Sequence, residues 1–139
     1  MALDLQKSAG RQWPLVAKMP FSYEDLADHS GEALAAVIMP VNSRVIGGSF
    51  VITEAFNSGT SDAFEVGDAS DEDRYLAGAD GTLGHDALVP TEHKYTGKEA
   101  VTLKWTGDGA APTAGEGVLT VEYVIDDRAT EVQPAVLQT

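Results

Sequence analysis

The chain has 139 residues, of which 22 are Asp or Glu and 9 are Lys or Arg, so its formal net charge is −13. Such a field repels phosphate backbones and anionic lipid surfaces, which argues against nucleic acid or a membrane as partner. The hydrophobic content of 43% suits one globular domain, and the lack of cysteine excludes disulfides, thiolate chemistry and cysteine-based metal sites.

The first predicted element is an extended segment that begins at Trp13. Apolar side chains occupy its odd positions up to Tyr23, and a period of two is typical of a half-buried strand. Pro14 and Pro20 cannot donate to a strand ladder, so we expect this segment at a sheet edge or lying across one. Residues 1–12 before it are expected to form an N-terminal arm, and one interpretation has that arm extending to a neighbouring subunit.

Residues 22–40 are ambiguous. Ser22 followed by Asp25 is typical of a helix N-cap, and several later apolar residues could share a helical face. Gly31 interrupts such a helix early, however, and Pro40 ends the run. We therefore expect a short acidic loop or turn at residues 24–32, with any helix confined to 22–32, and a strand at 33–39.

The next stretch, SRVIGGSFVITEAFNSGTSDAFEVGD, predicts two strands joined by a five-residue hairpin connection at 57–61. The alternation places one set of apolar residues on the core face: Ile46, Phe50, Ile52 and Phe56, continued by Phe64 and Val66. Gly47 and Gly48 within the first strand indicate a β-bulge or a sharp bend.

Residues 67–92 are rich in turn residues and acids, so we expect long loops there with one or two brief strands. Alternation returns at 101–106 and 119–125, which predicts an antiparallel pair joined by the glycine-rich loop GDGAAPTAGEG. The residues after Arg128 show only a weak pattern for any secondary structure. The predicted organisation is a single domain over 13–128 and a C-terminal tail at 129–139.

Six or more short strands, with turns between them and no alternating helices, predict an all-β protein. The expected architecture is an antiparallel β-sandwich, and the jelly roll is the preferred topology.

The chain offers no recognisable catalytic, cofactor or metal motif. DASDED, residues 68–73, lacks the glycine and the phase of a calcium-binding loop, so it is interpreted as a solvated acidic loop, as are Asp108 and Glu116. The spacing of His29, His85 and His93 fits no metal site on one strand or helix. No catalytic residue, cofactor ligand or metal ligand is therefore predicted.

The two tryptophans lie on apolar faces of predicted strands, so the expected role of Trp13 and Trp105 is in the core. An exposed tryptophan would instead be an interface anchor, because Trp is over-represented among hot-spot residues. Trp13 is on this ground the one candidate for partner binding.

Two segments carry a family resemblance: VNSRVIGGSFVITEAFNSGTSDAFEVGDASDEDRYL and KYTGKEAVTLKWTGDGAAPTAGEGVLTVEYVID. The chain resembles the capsid cement, or head-decoration, proteins of tailed bacteriophages over about residues 40–126, in particular that of the short-tailed Bordetella phage. The resemblance rests on a pattern of strands and a glycine-rich loop, and the family supplies no catalytic or ligand motif.

The resemblance implies a virion protein made in the host cytoplasm that binds the outer surface of an HK97-like capsid. There it would clamp neighbouring major capsid protein subunits, as a homodimer, and stabilise the shell against the pressure of packaged DNA. Two other interpretations stay open: a tail or fibre-base sandwich module of a phage, and a carbohydrate-binding sandwich module.

Overall fold

In a computed structural model, residues 12–126 and Arg128 are described. Of the predicted N-terminal arm only Gln12 lies within these residues, and the predicted tail at 129–139 lies outside them. The elements in chain order are β1 (Leu15–Ser22), α1 (Tyr23–Leu26), β2 (Ala33–Met39), β3 (Ser43–Glu54), β4 (Ser61–Asp68), β5 (Asp71–Asp80), β6 (Gly84–Ala87), β7 (Lys94–Tyr95), β8 (Glu99–Asp108) and β9 (Glu116–Ile125).

The strands form two sheets in which every pairing is antiparallel. One sheet has the order β1-β9-β3-β6, with the short β7 also paired to β3, and the other has the order β2-β8-β4-β5. The predicted all-β, antiparallel sandwich is confirmed. Strand β1 pairs with β9 alone among the described strands, which confirms that the segment with Pro20 forms a sheet edge.

The core lies between the sheets and is centred on the four phenylalanine rings of the chain. Phe64 of β4 is fully buried and its ring centroid lies 5.0 Å from those of Phe50 in β3 and Phe56. Phe21 of β1 stacks on Phe50 at 5.6 Å. Because Phe64 belongs to one sheet and Phe21 and Phe50 to the other, these contacts hold the two sheets together.

The predicted irregularity at Gly47 and Gly48 is a β-bulge, since the register of β3 on β9 shifts between Val45 and Gly47. The bulge changes the phase of the alternation. Val45 is therefore buried in the core, whereas Ile46, which the simple alternation places there, is only partly buried. The placement of Ile46 on the core face was wrong for this reason.

Both predicted hairpins were wrong, because the strands they join lie in different sheets. The loop at 57–61 crosses from β3 in one sheet to β4 in the other, and the glycine-rich loop at 109–115 crosses from β8 to β9. Among the described strands, the tight hairpin is β4–β5, where Asp68 pairs with Asp71. A short glycine-containing loop is equally compatible with a hairpin and with a sheet-to-sheet corner, so loop composition alone did not separate them.

The predictions for residues 22–39 were correct, whereas the prediction for residues 71–80 was not. The strand at 33–39 is confirmed, and the helix is confined to one turn, Tyr23–Leu26, inside the expected range. Residues 71–80, expected to be mostly loop, form instead a ten-residue strand. Exposed acids hide its pattern, because β5 is an edge strand that buries few side chains, among them Tyr75 and Ala79.

The bulge in β3 gives a testable prediction. Gly48 has a φ of +137°, and a Cβ there would lie 2.2 Å from the carbonyl oxygen of Thr120. Gly48→Ala should therefore lower the free energy of unfolding by more than about 2 kcal/mol, as measured by urea denaturation. At Gly97 a Cβ would meet nothing within 4 Å, so Gly97→Ala is the control and should leave stability within about 0.5 kcal/mol. Equal effects of the two changes would contradict the bulge.

Candidate interaction surface

A buried polar network joins the two sheets at one end of the sandwich. Asp68, at the end of β4, is 1% exposed and accepts hydrogen bonds from Arg74 Nε at 2.6 Å and from the Tyr95 hydroxyl at 3.0 Å. The hydroxyls of Tyr75 and Tyr95 lie 2.5 Å apart. Since Asp68, Arg74 and Tyr75 belong to one sheet and Tyr95 to the other, this network ties the sheets through hydrogen bonds.

The network keeps Asp68 ionised. Burial by itself would raise the pKa of this carboxyl group, but hydrogen bonds from Arg74, Ser70 and Tyr95 outweigh burial and lower the pKa to about 2. Burial, together with the neighbouring Tyr75 and Asp68, raises the pKa of Tyr95. The network satisfies a buried charge and carries a structural role.

This placement corrects the interpretation of DASDED as a solvated loop. Asp68 is buried, while Asp71, Glu72 and Asp73 are exposed as expected at the start of β5. Sequence reasoning missed Asp68 because its partner Tyr95 lies 27 residues further along the chain. The Asp68–Arg74 pair spans the β4–β5 hairpin, and only a correct prediction of that hairpin would have indicated it.

The network gives a pH prediction. The pKa of Asp68 is lowered in the folded state, so its contribution to stability, about 2–3 kcal/mol, is present above pH 4 and is lost as the pH falls toward 2. Asp68→Ala also leaves the partly buried Arg74 without its carboxylate partner, and should cost about 3 kcal/mol at pH 7. Unfolding by denaturant between pH 2 and pH 7 measures both effects, and the wild-type advantage over the variant should shrink below pH 4.

Asp73→Ala is the matched control, because Asp73 is exposed on the same hairpin. It should change stability by less than about 0.5 kcal/mol at pH 7. A loss as large as that of Asp68→Ala would show that general charge, and not the buried network, controls stability in acid.

The other candidate residues of the sequence are not brought together. His29 lies in the loop after α1, His85 on β6 and His93 just before β7. Asp108 and Glu116 are exposed, as expected. Within residues 12–126 no group of His, Asp or Glu side chains is arranged to hold a metal ion. In the same part of the chain, no helix has the length and apolar character needed to cross a membrane.

The two tryptophans have different environments. Trp105 is 3% exposed, and its indole N–H donates to the Asp62 carboxylate at 2.8 Å, which confirms its core position. Trp13 is 60% exposed, so its expected core role was wrong. The period-two pattern places Trp13 on the face of Leu15 and Ala17, but the strand begins only at Leu15, so that face does not extend to the tryptophan.

We define the base of the sandwich as the end where residues 12 and 126 meet. Gln12 exchanges side-chain hydrogen bonds with the backbone of Ile125, and Asp126 N–H donates to the Asn42 carbonyl. Exposed large apolar side chains concentrate at or beside this end: Trp13, Val16, Ile38, Val41 and Val89. Such residues are ordinary when scattered, but a group of them at one end marks a candidate interaction surface.

The opposite end, the top, is formed by α1 and the loops after β3, β5 and β8, which contact one another through backbone hydrogen bonds. Its charged side chains are all carboxylates: Glu24, Asp25, Asp28, Glu32, Glu54, Asp62, Asp80, Asp108 and Glu116. Every Lys and Arg of the described part lies elsewhere, at Lys18, Arg44, Arg74, Lys94, Lys98, Lys104 and Arg128. The two ends of the sandwich are therefore chemically different, one strongly acidic and one mixed and partly apolar.

No protein-family profile matches the chain, and no curated protein matches its sequence. Similar folds do occur among solved structures of bacteriophage capsids. A chain in the acidic stable capsid structure of Helicobacter pylori bacteriophage KHP30 superposes with a TM-score of 0.66 and 17% sequence identity. This match covers 94% of the present chain and 99% of that one.

Two further capsid structures contain the fold. A chain in the capsid asymmetric unit of cyanophage Pam1 superposes with a TM-score of 0.65 and 18% identity, covering 90% of this chain and 94% of that one. A chain in the capsid of Ralstonia phage GP4 gives a TM-score of 0.56 and 12% identity, covering 81% and 83%. The chain thus shares its fold with chains present in three phage capsids.

Proposed function

We propose that the chain is a structural protein of a bacteriophage virion. In this proposal it binds the outer surface of the capsid and clamps neighbouring major capsid protein subunits, as the cement proteins it resembles do. The observation that carries the proposal is the shared fold over nearly the full length of chains found in phage capsids. The match covers 94% of this chain and 99% of the chain from phage KHP30, so the shared fold spans nearly all of both chains.

The strand order supports the jelly-roll topology as part of this proposal. A jelly roll is built from two interleaved Greek keys, so consecutive strands mostly lie in opposite sheets. Here the chain changes sheet after β1, β2, β3, β5, β7 and β8. The two orders, β1-β9-β3-β6 and β2-β8-β4-β5, are those that such winding produces.

Charge supports a position outside the shell. A net charge of −13 opposes contact with packaged DNA, so the inner surface is unfavourable. Exposed apolar side chains at the base suit contact with the shell, and a carboxylate-lined top suits contact with water. We therefore propose that Trp13 is an anchor of the shell contact.

The remaining parts of the proposal concern assembly. The shell partner is an HK97-like major capsid protein, and the chain acts there as a homodimer, since closed two-fold pairing is the commonest symmetry of protein oligomers. Synthesis takes place in the host cytoplasm, and neither nucleic acid nor a membrane is a partner. The cement protein of the short-tailed Bordetella phage is the proposed counterpart.

Electron cryomicroscopy of virions from the phage that encodes the chain tests the proposal. A nine-stranded sandwich should fit density on the outer surface of the head, in contact with more than one capsid subunit. Density for this sandwich in the tail or at the fibre base would instead support the alternative virion role. Its absence from purified virions would reject both.

A variant tests the contact. Trp13→Ala should lower the affinity of the purified chain for shells about tenfold or more, as expected for a hot-spot tryptophan. The exposed apolar side chain at the top supplies the control, Leu83→Ala, which should bind as wild type. Co-sedimentation with shells lacking the chain measures both.

Salt should matter less than Trp13, because each exposed ion pair contributes only about 0.2–1 kcal/mol. Raising salt from about 0.1 M to about 1 M, which shortens the screening length from about 10 Å to about 3 Å, should weaken binding by less than tenfold. Release by salt alone, with Trp13→Ala bound normally, would mean that the contact is electrostatic.

A further inference from the structure

In the part of the chain that the structure describes, the two sheets have four edges, one of them shared by the short strands β6 and β7. Three of these edges carry features that discourage pairing with another strand. Strand β1 contains Pro20, which has no N–H to donate, and the exposed Lys18. Strand β5 begins with four consecutive charged residues, at 71–74, and strand β6 is only four residues long. Proline, charge and shortness are the usual means by which natural proteins protect an edge.

The fourth edge, β2, lacks those three features. Its seven residues, ALAAVIM, include neither a charged side chain nor a proline, and among the described strands it pairs with β8 alone. Ala35 is exposed and Ile38 is 63% exposed. A bulge between Ala35 and Val37, which is itself a feature that discourages pairing, divides the edge into the stretches 33–35 and 37–39.

An apolar cleft of about 270 Å³ lies directly beside this edge, between the first strands of the two sheets. Its lining is apolar apart from one carboxylate, and comprises Met19, Pro20, Phe21, Asp25, Leu26, Leu34, Ala35 and Leu103. A strand added along β2 would direct every second side chain toward the space between the sheets, because side chains alternate across a strand. The cleft is therefore positioned to receive an apolar side chain of such a strand.

The surroundings of the cleft are acidic. Glu24, Asp25, Asp28 and Glu32 are exposed on the segment that leads into β2, and no Lys or Arg occurs anywhere between residues 19 and 43. His29 Nδ1 lies 2.9 Å from the Glu32 carboxylate, and Asp25 accepts a hydrogen bond from the Ser22 N–H at 2.9 Å. Within the described residues no Lys or Arg pairs with these carboxylates, so a ligand could supply that cation. The chemistry thus favours a segment that combines apolar and basic side chains.

We propose that β2 binds an extended segment of the shell protein as an added strand. Backbone hydrogen bonds to the β2 edge hold the segment, one apolar side chain enters the cleft beside Leu34, and a neighbouring Lys or Arg faces Asp25 and Glu32. This inference rests on the proposed capsid function and deepens it by naming a contact distinct from Trp13. Two such contacts, at Trp13 just before the edge strand of one sheet and at β2 of the other sheet, are what bridging between subunits requires.

A second copy of the chain fits this edge less well. Its net charge is also −13, and its own β2 region supplies no cation to face the carboxylates around Asp25. The shell protein is favoured for this reason.

The test uses the double variant Ala35→Lys/Ile38→Lys, which places edge-protecting cations on two exposed positions of β2. Leu83→Lys is the matched control, since Leu83 is 66% exposed and lies at the top, away from β2. Shells of the phage that carries this gene, assembled without the chain, are the binding probe. Circular dichroism and thermal unfolding establish that each variant is folded.

The double variant should bind these shells about tenfold or more weakly than wild type, while Leu83→Lys binds normally. Hydrogen exchange measured by mass spectrometry should show the amides of residues 33–39 exchanging at least about tenfold more slowly on the shell than in the free chain. Normal binding by the double variant overturns the inference and leaves the capsid function standing. Failure of the wild-type chain to bind shells rejects the capsid function, and this inference with it.

Two further results would name a different occupant. Sedimentation velocity showing a wild-type dimer that the double variant loses would assign β2 to a second copy. Protection of residues 33–39 in the free chain that disappears when residues 1–11 are deleted would assign it to the chain's own N-terminal segment. Either result overturns the proposal.

Discussion

Burial of four phenylalanine rings between two sheets is the constraint on which the rest of the structure depends. Phe64 reaches across from β4 and contacts Phe21, Phe50 and Phe56, with centroid separations between 5.0 and 6.0 Å. A small sandwich must bury its large rings together, since each aromatic ring removes a large apolar area from water. Once β1, β3 and β4 are fixed by these contacts, the chain has to change sheet between β3 and β4.

At the base, hydrogen bonds between polar side chains connect the two sheets. Asp68, Arg74, Tyr75 and Tyr95 satisfy one another where the interior meets the end of the sandwich. A buried charge is tolerated only when its hydrogen bonds are complete, so this network restricts how the β4–β5 hairpin can sit against β7. It thereby holds in place the end of the fold at which the exposed apolar residues collect.

The candidate binding surfaces depend on which strands form the edges of the two sheets. A sandwich, unlike a closed barrel, leaves each of its two sheets with two open edges, and here the edge strands differ in charge, proline content and length. Charge, proline or shortness marks three of them, whereas β2 is apolar throughout. Carboxylates also lie at the top and exposed apolar side chains at the base. The edges and ends of the domain therefore differ chemically, as expected of a protein that binds a larger surface through one side.

By itself, the sequence determined most of the strands and many of the residues they bury, but not the edge strand β5, whose outward-facing acids mask the alternation. Period-two alternation depends only on neighbouring residues, so β1, β2 and the burial of Phe64, Val66, Leu103 and Trp105 were predicted correctly. Even the bulge in β3 was visible, because two consecutive glycines are a local signal. The fold class followed from the number of such segments.

The tertiary structure alone decided which strands are neighbours, and with that the candidate surface. Loops at 57–61 and 109–115 have the composition of hairpins, yet the strands on either side of each loop lie in different sheets. Which sheet a strand joins depends on contacts between segments distant in the sequence, and loop composition carries no information about them. Trp13 follows the alternation but lies beyond the strand that would bury it, and Asp68 meets Tyr95 through pairing between distant segments. Edges are likewise defined only by which strands remain unpaired, so no local pattern in ALAAVIM could show that β2 would be one.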